Sequence, residues 1–229
     1  MIERPSPNYN GRPAGKSIDL LVIHYTGMPD AEAALQRLTD PDAQVSSHYL
    51  VDEAGRIYRL VNESRRAWHA GVSYWAGERD INGVSIGIEL ANPGHEFGYR
   101  PFAEPQMIAL IALCQGVLAR HPVPASRVLG HSDVAPARKI DPGELFDWPR
   151  LAASGIGQWP RPTEGPSDLA SVQKALARFG YEVLPSGGMD EATRLALCAF
   201  QRHFRPTRID GILDDETRSL LYGLLQASS

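Results

Sequence analysis

Two of the seven histidines in this 229-residue chain stand where a metal ligand would be expected. His24 ends an apolar run, where a buried imidazole needs a polar partner or a metal ion to offset its desolvation. His131 opens a polar loop that also contains Asp133 and Asp141. Two neutral imidazoles and one carboxylate form a common three-ligand zinc site, with the fourth position left for water. Spacing alone leaves the choice between the two aspartates open.

Hydrolysis at such a site also requires a base for the water and a cation for the oxyanion. Glu89 is a carboxylate inside an otherwise apolar strand pattern, a position that by itself is more typical of an edge residue or an ion pair. Lys139 is the nearest cation, although a solvated loop lysine would look the same. Trp68 and His69 are adjacent in a loop, where core packing and a substrate wall are equally good interpretations.

The elements that must position these residues alternate between strand and helix patterns. Apolar runs and period-two alternation predict strands at Ile18–Tyr25, Ser47–Val51, Ile57–Val61, Val84–Leu90 and Arg127–Leu129. Helical spacing predicts helices over Ala31–Leu38 and Glu104–Arg120. The second and third strands read as a β-hairpin, and Gly87 indicates a close backbone approach. Interleaved strands and helices predict an α/β fold, a mixed central β-sheet flanked by helices.

A composition break separates this part from a small helical region. Residues 154–167 contain three prolines and three glycines, which is typical of a linker. The segments Gly188–Arg194 and Gly211–Arg218 are self-similar and each precedes apolar residues at helical spacing. Together with a helical pattern at Leu169–Phe179 they predict a three-helix unit. We therefore expect domains at 1–153 and 167–229, joined by a linker at 154–166.

Composition excludes several classes of protein. With 43% hydrophobic and 22% charged residues the chain has an ordinary globular composition. A net charge of −4 without a basic stripe argues against a nucleic-acid partner. The longest apolar stretch, Met107–Ala119, is too short for a membrane segment. The first residues lack the apolar core of a signal peptide, which predicts a cytoplasmic protein, with a periplasmic or wall-associated location as the alternative. Cys114 and Cys198 are predicted to be two buried thiols.

Taken together, five segments resemble the zinc-dependent N-acetylmuramoyl-L-alanine amidase family, the type-2 amidases related to peptidoglycan recognition proteins. These segments are Val22–Thr26, Val45–Val51, Ala67–Gly71, Asn82–Glu89, and the loop formed by Gly130–Asp133 and Arg138–Gly143. The resemblance covers about residues 17–150. Residues 167–226 resemble the small helical peptidoglycan-binding domain.

The amidase resemblance implies a role for each candidate residue. By it, the zinc ligands are His24, His131 and Asp141, and Asp133 is left to shape the loop. Glu89 matches the catalytic carboxylate and Lys139 the basic residue beside the third ligand. Three residues fall where the family lines its substrate groove: His48, Trp68 and His69. Tyr25 stands where the family often has asparagine or a small polar residue, so we expect an altered substrate fit.

The implied function is zinc-dependent hydrolysis of the amide between N-acetylmuramic acid, or its 1,6-anhydro form, and L-alanine of the peptidoglycan stem peptide. Peptidoglycan or muropeptide fragments are then the expected partners. Two alternatives stay open, a zinc peptidoglycan carboxypeptidase and a non-catalytic wall-binding protein. The carboxypeptidase is disfavoured because the ligands of that class usually include a His and an Asp seven residues apart, and no such pair stands near a predicted strand. The binding protein is disfavoured because the ligand set is complete.

Overall fold

A six-stranded mixed sheet forms the centre of the protein, and the computed structural model describes residues 1–227. The strands are β1 (Ile2–Glu3), β2 (Tyr9–Gly11), β3 (Leu20–Tyr25), β4 (Tyr49–Val51), β5 (Ile57–Arg59), β6 (Arg65–Ala67), β7 (Ser85–Leu90) and β8 (Val128–Gly130). Their order in the main sheet is β1-β5-β4-β7-β3-β8, and β2 pairs with β6 in a separate two-stranded sheet. The predicted mixed sheet flanked by helices is confirmed.

Parallel pairing places the ends of the central strands at one edge of the sheet. β3 runs parallel to both β7 and β8, and β4 runs parallel to β7. β4 and β5 pair in antiparallel fashion around residues 52–56, which confirms the predicted hairpin. Because the carboxyl ends of parallel neighbours lie side by side, residues that end β3, β7 and β8 are brought together although they are far apart in sequence.

Helices cover the sheet and form the last third of the chain. They are α1 (Ala31–Thr39), α2 (Ile81–Val84), α3 (Gly94–Phe97), α4 (Glu104–Arg120), α5 (His131–Val134), α6 (Trp148–Ala153), α7 (Leu169–Phe179), α8 (Glu191–Phe204) and α9 (Asp215–Ala227). The long helix α4 has the predicted bounds. Asp168 and Asp190 accept hydrogen bonds from backbone N–H groups three residues on, so their side chains cap the first turns of α7 and α8.

Side chains alternate along β3 and β7, and this separates a purely apolar face from a face that carries polar groups. Ile23 and Ile88 are register partners, and both pack in the core beneath α4. The next pair along the two strands is His24 and Glu89. Because successive side chains of a strand point to opposite faces, this pair stands on the other side of the sheet.

That other side is shared with the last part of the chain, which we call the C-terminal helical unit (residues 169–227). Leu20 and Val22 of β3 belong to the same hydrophobic core as Trp75, Leu176 and Phe200. Trp75 contacts the rings of Phe179 and Tyr181 edge to face, at centroid distances of 5.4 and 5.0 Å. The C-terminal helical unit is therefore docked onto the sheet domain through a common apolar core.

Three smaller findings complete the fold. The strand predicted from Val84 begins at Ser85, because residues 81–84 form the helical turn α2. Cys114 is buried as expected, but Cys198 is only partly buried, and both are free thiols. Within residues 1–227, no helix has the length and apolarity needed to cross a membrane.

Candidate metal centre and active site

A cavity of about 600 Å³ opens beside the carboxyl ends of β3 and β7. Part of its wall comes from α1 and from the loop after α5. Most of the side chains singled out in the sequence line it, namely His24, Trp68, His69, Glu89, His131, Lys139 and Asp141. The carboxyl edge of the sheet thus collects residues that are more than a hundred positions apart in the chain.

Three side chains meet at the floor of this cavity. His24 Nδ1 lies 2.9 Å from His131 Nδ1, and each of these nitrogens lies 3.1 Å from Asp141 Oδ2. All three residues are buried. The loop that carries two of them is closed by a backbone hydrogen bond of 2.9 Å, from Ser132 N–H to the carbonyl oxygen of Asp141. The structure brings Asp141, and not Asp133, to the two imidazoles.

The protonation of His131 follows from its outer contact. Its Nε2 lies 3.0 Å from the carbonyl oxygen of Ala70, which can only accept a hydrogen bond. Nε2 therefore carries the proton, and in a neutral ring Nδ1 is an unprotonated lone pair. This lone pair is directed at the cluster.

The protonation of His24 follows from a longer chain of contacts. Ser85 Oγ donates to the carbonyl oxygen of Ile81 at 2.6 Å, so the same oxygen accepts from His69 Nε2 at 3.0 Å. His69 Nδ1 is then an acceptor, and it lies 3.0 Å from His24 Nε2. His24 therefore donates from Nε2, and its Nδ1 is also a bare lone pair. His69 thus orients His24 from behind, and a Cβ on Gly87 would lie 2.5 Å from the His69 ring.

The cluster has the character of a cation site. Two bare nitrogens and a carboxylate oxygen face one another at 2.9–3.1 Å with no hydrogen atom available to join them. The ligand atoms of a tetrahedral zinc ion at about 2.0 Å lie roughly 3.3 Å from one another. Both imidazoles also donate their second N–H to an acceptor, the arrangement that usually fixes metal-binding histidines. The donor set and its surroundings fit a zinc ion.

The acid–base properties of the cluster agree with this. Burial lowers the pKa of His24 to about 4, and the neighbouring His131 adds to that shift. Burial alone would raise the pKa of Asp141, but a proton on the facing nitrogen of His131 or His24 would lower it well below its usual range. Near pH 7 His24 is therefore neutral and Asp141 is ionised, which are the forms that bind a metal.

Glu89 stands beside the cluster with an unsatisfied carboxylate. Its Oε2 atom is buried and has no hydrogen-bond partner among residues 1–227. Burial raises the pKa of Glu89 well above its usual value, the negative charge of Asp141 adds to this, and Lys139 opposes it. A bound dication would favour the ionised form again, because it would be the largest local charge. The side chain is thus suited to accept and return a proton.

The remaining predicted residues differ in their placement. Lys139 and Trp68 line the cavity, and the Trp68 indole N–H donates to Asn10 at 3.1 Å. His48 does not line it. Its Nδ1 accepts from Gly87 N–H and its Nε2 lies 3.1 Å from the carbonyl oxygen of Arg65, so this ring ties β7 to the neighbouring backbone. We correct its assignment to the strand framework, since its buried ring has no cavity surface.

Sequence reasoning missed Ser85 and Arg138. Ser85 closes the hydrogen-bond chain behind His24, and the signal for it was present: Ser85, Gly87 and Glu89 are the alternate positions of β7 that are not large and apolar. Arg138 donates to the carbonyl oxygen of Ala70 at 2.9 Å, the same oxygen that holds His131. No local pattern marks this arginine, because its partner is 68 residues away.

The family models match both parts of the chain. Residues 14–144 match the model described as N-acetylmuramoyl-L-alanine amidase, and residues 166–221 match the one described as putative peptidoglycan binding domain. The chain is 43% identical over 232 residues to the N-acetylmuramoyl-L-alanine amidase AmiD of Escherichia coli (strain K12), which covers 91% of this chain and 83% of that protein.

Two solved structures resemble this one over nearly its whole length. The complex of the amidase AmiD from E. coli with the substrate anhydro-N-acetylmuramic acid-L-Ala-D-gamma-Glu-L-Lys has a TM-score of 0.82 and 41% identity, covering 94% of this chain and 92% of that one. The complex of AmpDh3 from Pseudomonas aeruginosa with anhydromuramic pentapeptide has a TM-score of 0.85 and 36% identity, covering 94% of each chain.

Proposed function

The chain belongs to the N-acetylmuramoyl-L-alanine amidase family, and from this we propose that it hydrolyses the amide between N-acetylmuramic acid, or its 1,6-anhydro form, and L-alanine of the peptidoglycan stem peptide. One observation carries the proposal. Two bare imidazole nitrogens and a carboxylate oxygen converge within 3.1 Å of one another in an open cavity, beside Glu89, whose buried Oε2 atom has no hydrogen-bond partner among residues 1–227. Muropeptides bound to the similar structures support this choice of substrate.

We assign His24, His131 and Asp141 as the ligands of one zinc ion. Bound there, the ion would act as a Lewis acid towards the amide carbonyl and would lower the pKa of the attacking water. The protein side of the site keeps each ligand in its binding form. Ala70 and His69 accept the second N–H of the two imidazoles, which prevents the rings from rotating or changing tautomer.

Glu89 accepts the proton of the attacking water in this proposal. Once it holds that proton, it delivers it to the leaving amine of L-alanine, so that one side chain serves as base and then as acid. The Lys139 ammonium, on the cavity wall, stabilises the negative charge that develops on the carbonyl oxygen. Trp68 offers an aromatic wall to the sugar or peptide.

The C-terminal helical unit lies in the region that matches a putative peptidoglycan-binding family, so we propose that it contributes to binding of peptidoglycan or its fragments. The proposed division is an amidase domain at 1–153, a linker at 154–166 and the second domain at 167–229. It is supported by the family matches, which end at residue 144 and resume at residue 166. The cytoplasmic location stays a prediction, which fractionation of cells would test.

The decisive experiment incubates the zinc-loaded chain with anhydro-N-acetylmuramyl-L-Ala-D-γ-Glu-L-Lys and with a muropeptide that carries the terminal D-alanines. Mass spectrometry should find the intact stem peptide and free anhydro-N-acetylmuramic acid. Release of D-alanine alone would instead show a carboxypeptidase, and unchanged substrate would show a binding protein. Rates on soluble fragments and on intact sacculi, compared at equal enzyme, would then show which form is preferred.

A further inference from the structure

Asp133 is a buried carboxylate that the proposed reaction does not use. It is 1% exposed, and it accepts three hydrogen bonds. Oδ2 accepts from Gly130 N–H at 2.8 Å and from His203 Nδ1 at 2.7 Å, whereas Oδ1 accepts from Tyr181 Oη at 2.7 Å. Such complete satisfaction is what a buried charge requires, so these contacts fix the position of Asp133 closely.

Two of the three donors come from the C-terminal helical unit. Tyr181 follows Gly180, where a Cβ would lie 2.3 Å from the Trp75 ring, so the chain can pass Trp75 this closely only with glycine at that position. His203 lies near the end of α8 and stacks on Trp148 at 3.7 Å between centroids. Both donors are buried and held by aromatic rings, and they therefore present their hydrogens from fixed points.

The third donor connects Asp133 to the metal ligands. Gly130 N–H and Asp133 lie on either side of His131 in the turn that forms α5. Ser132, in the same turn, donates its backbone N–H to the carbonyl oxygen of Asp141. The turn thus carries one proposed ligand, His131, and holds the backbone of another, Asp141. Its conformation is fixed by the Asp133 carboxylate, which accepts hydrogen bonds from Tyr181 and His203.

We propose that Tyr181 and His203 are positioning residues for the metal centre, acting through Asp133 on the turn that carries His131. This rests on the ligand set of the proposed function. The C-terminal helical unit then has a second role besides binding peptidoglycan, since it completes the scaffold of the active site.

The physical reason lies in the cost of an under-satisfied buried carboxylate. If either donor is lost, the buried Asp133 carboxylate no longer has its full set of hydrogen-bond partners. It must then admit water or move towards solvent. Either response weakens the hydrogen bond from Gly130 N–H to Asp133 and so loosens the turn α5. The Nδ1 atom of His131 is then held less precisely.

The test uses full-length chains with Tyr181→Phe or His203→Phe, which keep the aromatic packing and remove only the donor. Tyr222→Phe is the matched control, because the Tyr222 hydroxyl is buried in the same unit without a hydrogen-bond partner among residues 1–227. The zinc dissociation constant is measured by competition with a chelator, and the unfolding temperature of the metal-free chain is measured in parallel. We expect zinc binding to weaken about tenfold in the first two variants, as for other supports of metal ligands, and to stay unchanged in the control.

Zinc affinity within twofold of wild type in Tyr181→Phe and His203→Phe, with only the unfolding temperature lowered, would overturn the proposal and leave the C-terminal helical unit a purely stabilising role. If His203→Phe does not fold, Tyr181→Phe decides alone. The proposed function is tested by a different result. A wild-type chain that binds zinc but cleaves no muropeptide would refute the amidase activity. Weaker zinc binding in the two variants would still support the positioning role of Tyr181 and His203.

Discussion

Glu89→Gln is the sharpest test of the proposed chemistry, because it keeps the shape of the side chain and removes its ability to accept a proton. The Oε2 atom has no hydrogen-bond partner within residues 1–227, so replacing it removes no hydrogen bond there. The substitution therefore leaves the surrounding structure unchanged. Glutamine also removes the charge that repels Asp141, and we expect the proposed zinc ligands to keep their positions.

The expected loss of activity follows from the absence of a substitute base. Among the described residues, the other carboxylates that line the cavity are Asp141, which is held by both imidazoles, and the exposed Glu96. A positioned general base contributes about 10²–10⁴-fold to the rate. Since each tenfold corresponds to about 1.36 kcal/mol, the barrier should rise by about 2.7–5.4 kcal/mol. Zinc content should remain at one ion per chain.

The same substitution should stabilise the metal-free fold. Burial raises the pKa of Glu89 in the folded state above its unfolded value, so the folded state binds more protons and its stability falls as pH rises beyond about 4.3. Glutamine removes this dependence. The unfolding temperature of metal-free Glu89→Gln should therefore exceed that of wild type at pH 7, with a smaller difference at pH 4.

The assay measures kcat/KM on the anhydro-muramyl tripeptide by chromatography of the released peptide, with zinc measured by elemental analysis. Glu63→Gln serves as the control, because it removes a partly buried carboxylate that does not line the cavity. It should keep normal turnover. If Glu89→Gln retains more than a tenth of wild-type activity at full zinc content, Glu89 is not the base and the proposed mechanism is wrong.

Three further outcomes are expected. Asp141→Ala should yield protein without zinc in elemental analysis, and one zinc ion per chain would show that the ligand set is wrong. Ser85→Ala removes the acceptor that fixes the His69 tautomer and should weaken zinc binding about tenfold in chelator competition; an unchanged dissociation constant would contradict the hydrogen-bond chain. Burial alone would raise the pKa of Glu63, but hydrogen bonds from Arg120, His121 and Tyr49 outweigh this effect and lower the pKa to about 2. The ionised Glu63 therefore stabilises the fold above about pH 4.5, and this stabilisation is lost as the pH falls towards 2. Urea unfolding of Glu63→Gln should show a deficit of about 1–3 kcal/mol at pH 7 that shrinks at pH 3, and an equal deficit at both pH values would refute this.

The sheet could be predicted because apolar runs mark its strands, whereas the set of site residues was implied by the family resemblance. A continuous apolar run predicted β3 as a buried strand, and a second apolar run in residues 84–90 predicted β7. In the structure these two strands run parallel and end at a common edge, which places His24 beside Glu89. The apolar runs are local signals, and the structure preserves them.

The choice between Asp133 and Asp141 could not be made from spacing. Asp133 lies in the short turn α5 and Asp141 in the loop after it, and neither segment is long enough for a period that tells which way a side chain points. Their separation depends on contacts made elsewhere, since Asp133 faces Tyr181 and Asp141 faces the imidazoles. His48 was misplaced for a related reason. Its sequence neighbours resemble a substrate groove, whereas its orientation is fixed by hydrogen bonds to residues 17 and 39 positions away.

The docking of the C-terminal helical unit was also beyond the reach of sequence patterns. A segment rich in proline and glycine predicts a separation between domains, but composition does not show whether the domains then associate. Tyr181 and His203 look in the sequence like ordinary residues of a helical core. Their partner, Asp133, stands in the sequence as a candidate metal ligand or a carboxylate that shapes the loop, and nothing there connects it with the helical unit. Only their juxtaposition shows that the three form one buried cluster.

This docking changes what a truncation experiment would measure. Removal of residues 167–229 would take away the proposed peptidoglycan-binding surface, and would at the same moment expose Trp75 and leave Asp133 with one donor of three. A loss of activity on intact sacculi would therefore not show that polymer binding matters. The two effects separate on a small soluble muropeptide, which requires no wall attachment. If the truncated chain cleaves that fragment as fast as the full chain, with equal zinc affinity, the C-terminal helical unit acts on the polymer alone; if it is slower and binds zinc more weakly, the unit also supports the metal centre.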